Sequence, residues 1–138
     1  RAPPPAPPNH RCDLATALVF DPETGVAEVS GDSEPATDQG EVGCGQAASR
    51  LSPDLFYGFS LDGTADVRVE VRPQGGFEPA IALRSGGCRG GVELVCSTAA
   101  PHALAADGLL AGDYLILIDG ARPGAAGSFD LTVEIAPR

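Results

Sequence analysis

The 138-residue sequence has no tryptophan, no methionine, no lysine and a single asparagine, Asn9. Five Phe and two Tyr are its only aromatic residues, so a core has to be built mostly from Val, Leu, Ile and Ala. A sugar-binding platform needs exposed aromatics, and most of those present fall on inward faces of the pattern; Phe56 and Phe77 are the exceptions. Positive charge is scarce too. Nine Arg stand against nineteen Asp and Glu, for a formal net charge of -10. That balance excludes a nucleic-acid footprint, which has to be cationic, and an electrostatic landing on anionic lipid. Arg at every basic position reads as the codon bias of a GC-rich bacterial genome. No run approaches the roughly 18 apolar residues of a membrane helix, so membrane insertion is not expected. The chain starts at Arg1 rather than Met, which reads as a processed or excised segment of an exported protein, secreted or held at the cell surface.

What is present is a recurring strand signal. Residues 1–11 form a Pro-rich extended tether, polyproline II through Asn9, and residues 12–138 one β-domain. Ala17–Phe20 and Val26–Ser30 are short apolar runs around the turn-forming Asp21-Pro22-Glu23-Thr24-Gly25, and predict a hairpin. Leu55–Leu61 places Leu55, Tyr57, Phe59 and Leu61 on one face. After Asp62-Gly63, Ala65–Val71 turns Val67, Val69 and Val71 inward and Arg68, Glu70 and Arg72 outward, which predicts a second hairpin. Pro79–Ser85, Glu93–Ser97 and Ala103–Ala106 follow, with Asp107-Gly108 read as a turn. Tyr114–Ile118 is apolar on both faces, as in a strand central to a packed sheet. Phe129, Leu131, Val133 and Ile135 alternate with Ser128, Asp130, Thr132 and Glu134. No segment carries a helical stripe. The expected fold class is all-β, an antiparallel, jelly-roll-like β-sandwich of about 8–9 short strands.

Four cysteines, Cys12, Cys44, Cys88 and Cys96, in an exported-looking chain imply two disulfides, for which three connectivities exist. Cys88 and Cys96 flank a Gly-rich turn, so local pairing is geometrically easy, and Cys12 is left for Cys44. A zinc site competes poorly: there is no CxxC and there are only two histidines.

Catalytic patterns are missing from the sequence. His10 lies in the tether and His102 in a Pro-flanked loop, neither on a predicted strand, so a Ser-His-acid triad has no histidine to place. GxSxG, HExxH and a phosphate-cradling Gly-rich loop are absent. An enzyme is not expected. The acidic loop from Gly31 to Glu41 suggests one ligand, Ca²⁺, which takes carboxylate and carbonyl oxygens held by a stiff loop; Asp32, Asp38 and Asp54 are the candidate ligands. The tether prolines Pro3, Pro4, Pro5, Pro7 and Pro8 are candidates for assembly, as a docking arm on a neighbouring molecule.

Cys12-x-x-Ala15, Gly31-Asp32-Ser33, Cys44-Gly45, Asp54-Leu55-Phe56-Tyr57, the Cys88 and Cys96 pair, Leu110-Ala111-Gly112-Asp113-Tyr114, Ile118-Asp119-Gly120 and Gly127-Ser128-Phe129-Asp130-Leu131-Thr132-Val133 form a combined pattern. From Cys12 to Ile135 it resembles the bacterial pre-peptidase C-terminal (PPC) domain family, in its cysteine-bearing secreted form. The resemblance implies a non-catalytic module appended to exported proteins, aiding secretion, targeting or adhesion; related collagen-binding modules use Ca²⁺. The expected function is therefore a secreted accessory module that binds an extracellular protein or polysaccharide through its loops. The alternative is a structural subunit that binds itself, self-assembling through the Pro-rich arm or an edge strand.

Overall fold

Where apolar and polar residues alternate, one side of the backbone can be buried only by pairing into a sheet, and nine strands result among the described residues. In the computed structural model, which describes residues 8–34, 54–87, 91–121 and 125–138, they are β1 (Thr16–Ala17), β2 (Val26–Asp32), β3 (Leu55–Leu61), β4 (Ala65–Pro73), β5 (Pro79–Ser85), β6 (Val92–Ser97), β7 (Ala103–Leu109), β8 (Gly112–Gly120) and β9 (Ser128–Pro137). They form a five-stranded sheet, β1-β3-β8-β5-β6, and a four-stranded sheet, β2-β9-β4-β7. Among the described strands only β1 and β3 pair in parallel, and every other pair is antiparallel.

The inward faces of the two sheets meet in one core. Leu55, Tyr57, Phe59 and Leu61 of β3 and Tyr114, Ile116 and Ile118 of β8 face Val67, Val69 and Val71 of β4 and Phe129, Leu131 and Val133 of β9. The run that is apolar on both sides is indeed central: β8 lies between β3 and β5. Its other face carries Leu117, which joins Phe56, Ala80 and Ala82 in a second buried cluster on the outside of the five-stranded sheet. Phe56, Leu117, Ala82 and Cys96 stand in register across four strands. Phe56 is therefore no exposed platform, and Phe77 is buried in the main core.

The few aromatics are concentrated. Phe20, Phe59 and Tyr114 touch in sequence at one end of the core, with centroids 5.9 and 5.5 Å apart. Tyr57, Phe129 and Phe77 do so at the other, at 6.3 and 6.2 Å. Each such pair adds about 0.5–1.5 kcal/mol beyond the area it buries.

Both expected hairpins are replaced by crossings. β1 joins the five-stranded sheet and β2 the four-stranded one; β3 and β4 are divided in the same way. Among the described strands only β5 and β6 are consecutive neighbours in one sheet. The reason lies in what alternation encodes. It specifies which side chains are buried, and two strands with buried faces are satisfied equally side by side or facing one another across a core.

Two further expectations change. Asp107-Gly108 is not a turn, because β7 runs on to Leu109. Gly108 sits at φ +67° opposite a register shift in β4, and its N–H donates to Asp66 Oδ1 at 2.8 Å. The tether does not run extended to Asn9: Pro8–His10 forms a 3-10 turn, followed by another at Cys12–Leu14. Asn9 is buried, and its Nδ2 donates to the Phe56 carbonyl at 3.2 Å. Residues 8–10 thus dock on β3 although they precede the expected domain start at residue 12.

Candidate functional site

Strand directions sort the loops onto two ends. One end holds Asn9, the start of β3 and the C-terminal ends of β2, β4 and β8. The other holds the 18–25 segment, the 62–64 turn, the 110–111 turn and the last residues of β9.

At the first end the described polar groups bond one another. Ser33 is fully buried; its N–H donates to the Gly127 carbonyl at 3.0 Å, and Gly127 N–H donates back to Ser33 Oγ at 3.1 Å. A Cβ on Gly31 would overlap the Tyr57 hydroxyl and the Phe129 ring, and one on Gly127 would come within 2.9 Å of Phe77 Cβ. Two of the motifs that carry the resemblance, Gly31-Asp32-Ser33 and Gly127-Ser128-Phe129, are therefore joined in space and make structure. The Leu110-to-Tyr114 motif acts likewise: the Tyr114 hydroxyl donates to the Leu110 carbonyl at 2.6 Å, and Ser60 Oγ donates to Asp113 Oδ1 at 2.6 Å.

The Tyr57 hydroxyl has its pKa raised, chiefly because burial penalises the phenolate, with the Asn9 side-chain hydrogen bond opposing the shift.

The candidate calcium ligands fall as follows. Asp32 ends β2, is exposed, and accepts the Glu34 N–H on Oδ1 at 3.0 Å. Asp54 precedes β3 and is fully buried, with interactions inside the fold. Asp38 lies outside the described residues. Among the described residues no three His, Cys, Asp or Glu side chains gather as a metal site. Cys12 and Cys96 are disulfide-bonded and both pack against the outer cluster, and no described cysteine is free. Cys44 and Cys88 lie outside the described residues, and the pairing with them. So do Pro3, Pro4, Pro5 and Pro7, and of Pro8 only the backbone turn is described.

The opposite end is open. A groove of about 500 Å³ runs between the 20–25 turn, the 60–65 segment and residues 135–138. Its walls are pinned. Asp21 Oδ1 accepts the N–H groups of Glu23 and Thr24 at 2.8 and 3.3 Å, and Gly25 N–H donates to the Asp21 carbonyl at 2.8 Å. Ile135 N–H then donates to the Gly25 carbonyl at 2.8 Å, and Arg138 N–H to the Thr64 carbonyl at 2.9 Å. Gly25, at φ +72°, allows the close approach; a Cβ there would overlap the Ile135 carbonyl oxygen. Phe20, Leu61, Ala65, Ile135 and Pro137 supply the apolar lining, and Asp21, Glu23 and Asp62 the carboxylates.

Smaller depressions of about 400 and 370 Å³ lie on the outer faces of the two sheets, around Gly58 and around Ser30. Nothing in the sequence pattern marks the end groove, because its walls come from three stretches far apart in the chain.

The sequence matches no family model and no curated protein. The fold does have counterparts among solved structures. The pre-peptidase C-terminal domain of a Bacillus anthracis collagenase aligns with a TM-score of 0.56 at 13% identity, over 87% of this chain and 94% of that one. PliG of Aeromonas hydrophila, a periplasmic inhibitor of g-type lysozyme, aligns at 0.61 and 15% identity, over 88% and 95%. PliG of Salmonella Typhimurium gives 0.53 and 15%, over 88% and 96%. At these identities the likeness is one of fold.

Proposed function

We propose that this chain is a non-catalytic binding module of an exported protein, recognising another protein or a polysaccharide through its loops. The supporting observation is that fold likeness spans nearly the whole chain and nearly the whole of two kinds of module. One is a domain of a collagenase and the other a periplasmic protein inhibitor of an enzyme. A fold hosts many functions, so weight also rests on this chain's surface: an open groove with rigid walls at one end, and a strongly acidic charge. Adhesion, targeting or help in secretion are the roles that fit such a module. Disulfides joining Cys12 to Cys44 and Cys88 to Cys96 suit a secreted or periplasmic location and are proposed with it. Calcium at Asp32, Asp38 and Asp54 is a separate proposal; a rise in melting temperature with Ca²⁺ that EDTA reverses is its expected sign.

The test sets the chain against a protein and a polysaccharide. g-type lysozyme is titrated while its lysis of cell walls is followed, and insoluble cell-wall polysaccharide is co-sedimented with the chain. Saturable binding to either, without turnover by the chain itself, is expected. Failure of both, or steady turnover, overturns the reading.

A second reading, self-assembly, has one observation in its favour. β6 is an edge strand, and it exposes Val92 and Leu94 to 60% and 40%, the kind of edge that recruits another strand. Light scattering over a range of concentrations separates a monomer from a growing polymer.

A further inference from the structure

We propose that the end groove is the docking surface, and that its occupant is a cationic segment of a partner protein, bearing Arg or Lys beside apolar residues. The proposal rests on the binding-module reading and names the partner's chemistry at one site. Charge complementarity carries it. Each of the five described arginines is engaged to a carboxylate: Arg11 to Asp13, Arg68 to Asp107, Arg72 to Glu70, Arg84 to Glu93 and Arg138 to Asp66. Among the described residues, Glu23 and Asp62 are two of the several carboxylates in no such ion pair, and these two border the groove together with Asp21. Arg138, the cation in the groove wall, is already held by Asp66 at 2.8 Å. Among the described residues the groove mouth is therefore left with uncompensated negative charge.

Two other features fit the same occupant. Val19, next to the groove residue Phe20, is 85% exposed, and Leu110, one residue beyond the Leu109–Ala65 pair, is 70% exposed. With Phe20 and Pro137 they offer apolar surface to the stems of long cationic side chains, whose charged heads reach the rim carboxylates. The hydrogen bonds that fix the 21–25 turn and residues 135–138 mean that little backbone has to be ordered on binding. An acidic partner, or a second copy of this acidic chain, would meet like charge at the same rim.

The experiment uses the full chain and the acetylated, amidated peptide Leu-Arg-Leu-Arg-Leu-Arg as probe, with Leu-Glu-Leu-Glu-Leu-Glu as its control, followed by calorimetry and amide chemical shifts. Two double variants are compared, E23Q/D62N in the groove and E28Q/E34Q outside it. Each removes two negative charges, and none of the four side chains is in an ion pair of the described structure. Asn keeps the turn preference of Asp62.

The expected result is binding of the Arg peptide only, with shifts centred on residues 20–25 and 61–65. E23Q/D62N should weaken it at least about tenfold and E28Q/E34Q less than about twofold. Raising salt from about 50 to about 500 mM should weaken wild-type binding more than that of E23Q/D62N. Equal losses in the two double variants would show attraction to net charge alone and overturn the proposal, as would no binding of the Arg peptide. A protein ligand whose affinity E23Q/D62N leaves unchanged removes the groove and keeps the binding-module reading.

Discussion

Asn9 is the chain's one asparagine, and it works as a plug. Its amide donates to the Phe56 carbonyl and its side chain bonds the Tyr57 hydroxyl, in a position that is nearly solvent-free. Removing it strands both partners, so Asn9→Ala is expected to cost about 1–3 kcal/mol, measured by urea unfolding. Tyr57 gives the same site a pH signature. Its hydroxyl titrates higher in the folded chain than in the unfolded one, where it sits near 10.0. Above that pH the unfolded chain releases the proton first, so the native state binds more protons and stability falls as pH rises. Tyr57→Phe should lose stability at neutral pH with its hydrogen bond, and should decline less than wild type between about pH 9 and 11. Parallel declines would place the alkaline sensitivity elsewhere. Tyr114 is also a core residue, stacked on Phe59 with its hydroxyl satisfied, and Tyr114→Ala is expected to cost about 3 kcal/mol or more. A loss under about 1 kcal/mol would contradict its packing.

At the scale of elements, the pairing of β4 with β7 depends on a polar group where the ladder slips. Asp66 accepts the Gly108 N–H and the Arg138 guanidinium, both at 2.8 Å. Its carboxyl is held below its ordinary value, first by the Gly108 hydrogen bond and then by Arg138, through hydrogen bond and charge, with Arg68 adding a little. A carboxyl that titrates lower in the folded state contributes stability above its unfolded pKa and loses it as pH falls through its folded one. The contribution is therefore present at neutral pH and lost below about pH 4. Asp66→Asn should preserve the Gly108 bond, weaken the Arg138 attachment, and flatten the fall in melting temperature between about pH 5 and 3. Because Arg138 lines the groove, the same variant should also broaden the amide signals of Ile135, Ala136 and Arg138. An unchanged acid limb would mean that other carboxylates set it.

For the whole molecule the disulfides and the charge matter most. Reduction is expected to lower stability by about 2–4 kcal/mol for each bridge, seen as a lower melting temperature with reductant, and mass spectrometry should find no free thiol before it. Four free thiols in the untreated protein would remove the bridges and the oxidising compartment together. Among the described residues, one end carries the groove and the other the Ser33–Gly127 and Asn9–Phe56 hydrogen bonds. A docking role at the open end should leave the Asn9 end unperturbed when ligand binds.

The all-β class, most of the strands and their inward faces were legible in the sequence, although Ala17–Phe20 is a strand only at Ala17 and β7 runs past Ala106. Leu55–Leu61 and Pro79–Ser85 coincide with strands, the Val67-Val69-Val71 face is buried, and Tyr114–Ile118 is central. These are consequences of period-two alternation and of Gly, Pro and Asp between runs, both of which are local. Which strands share hydrogen bonds depends on long-range packing: β3 and β4 are consecutive and lie in different sheets. A buried face can be satisfied by neighbours in its own sheet or by a facing layer, and alternation is the same in both cases. Phe56 looked outward for the same reason, since a second cluster covering the outer face leaves no periodic trace. The groove was hidden too. Phe20, Asp62 and Arg138 meet because the chain repeatedly crosses between layers, and no spacing along the sequence records that meeting.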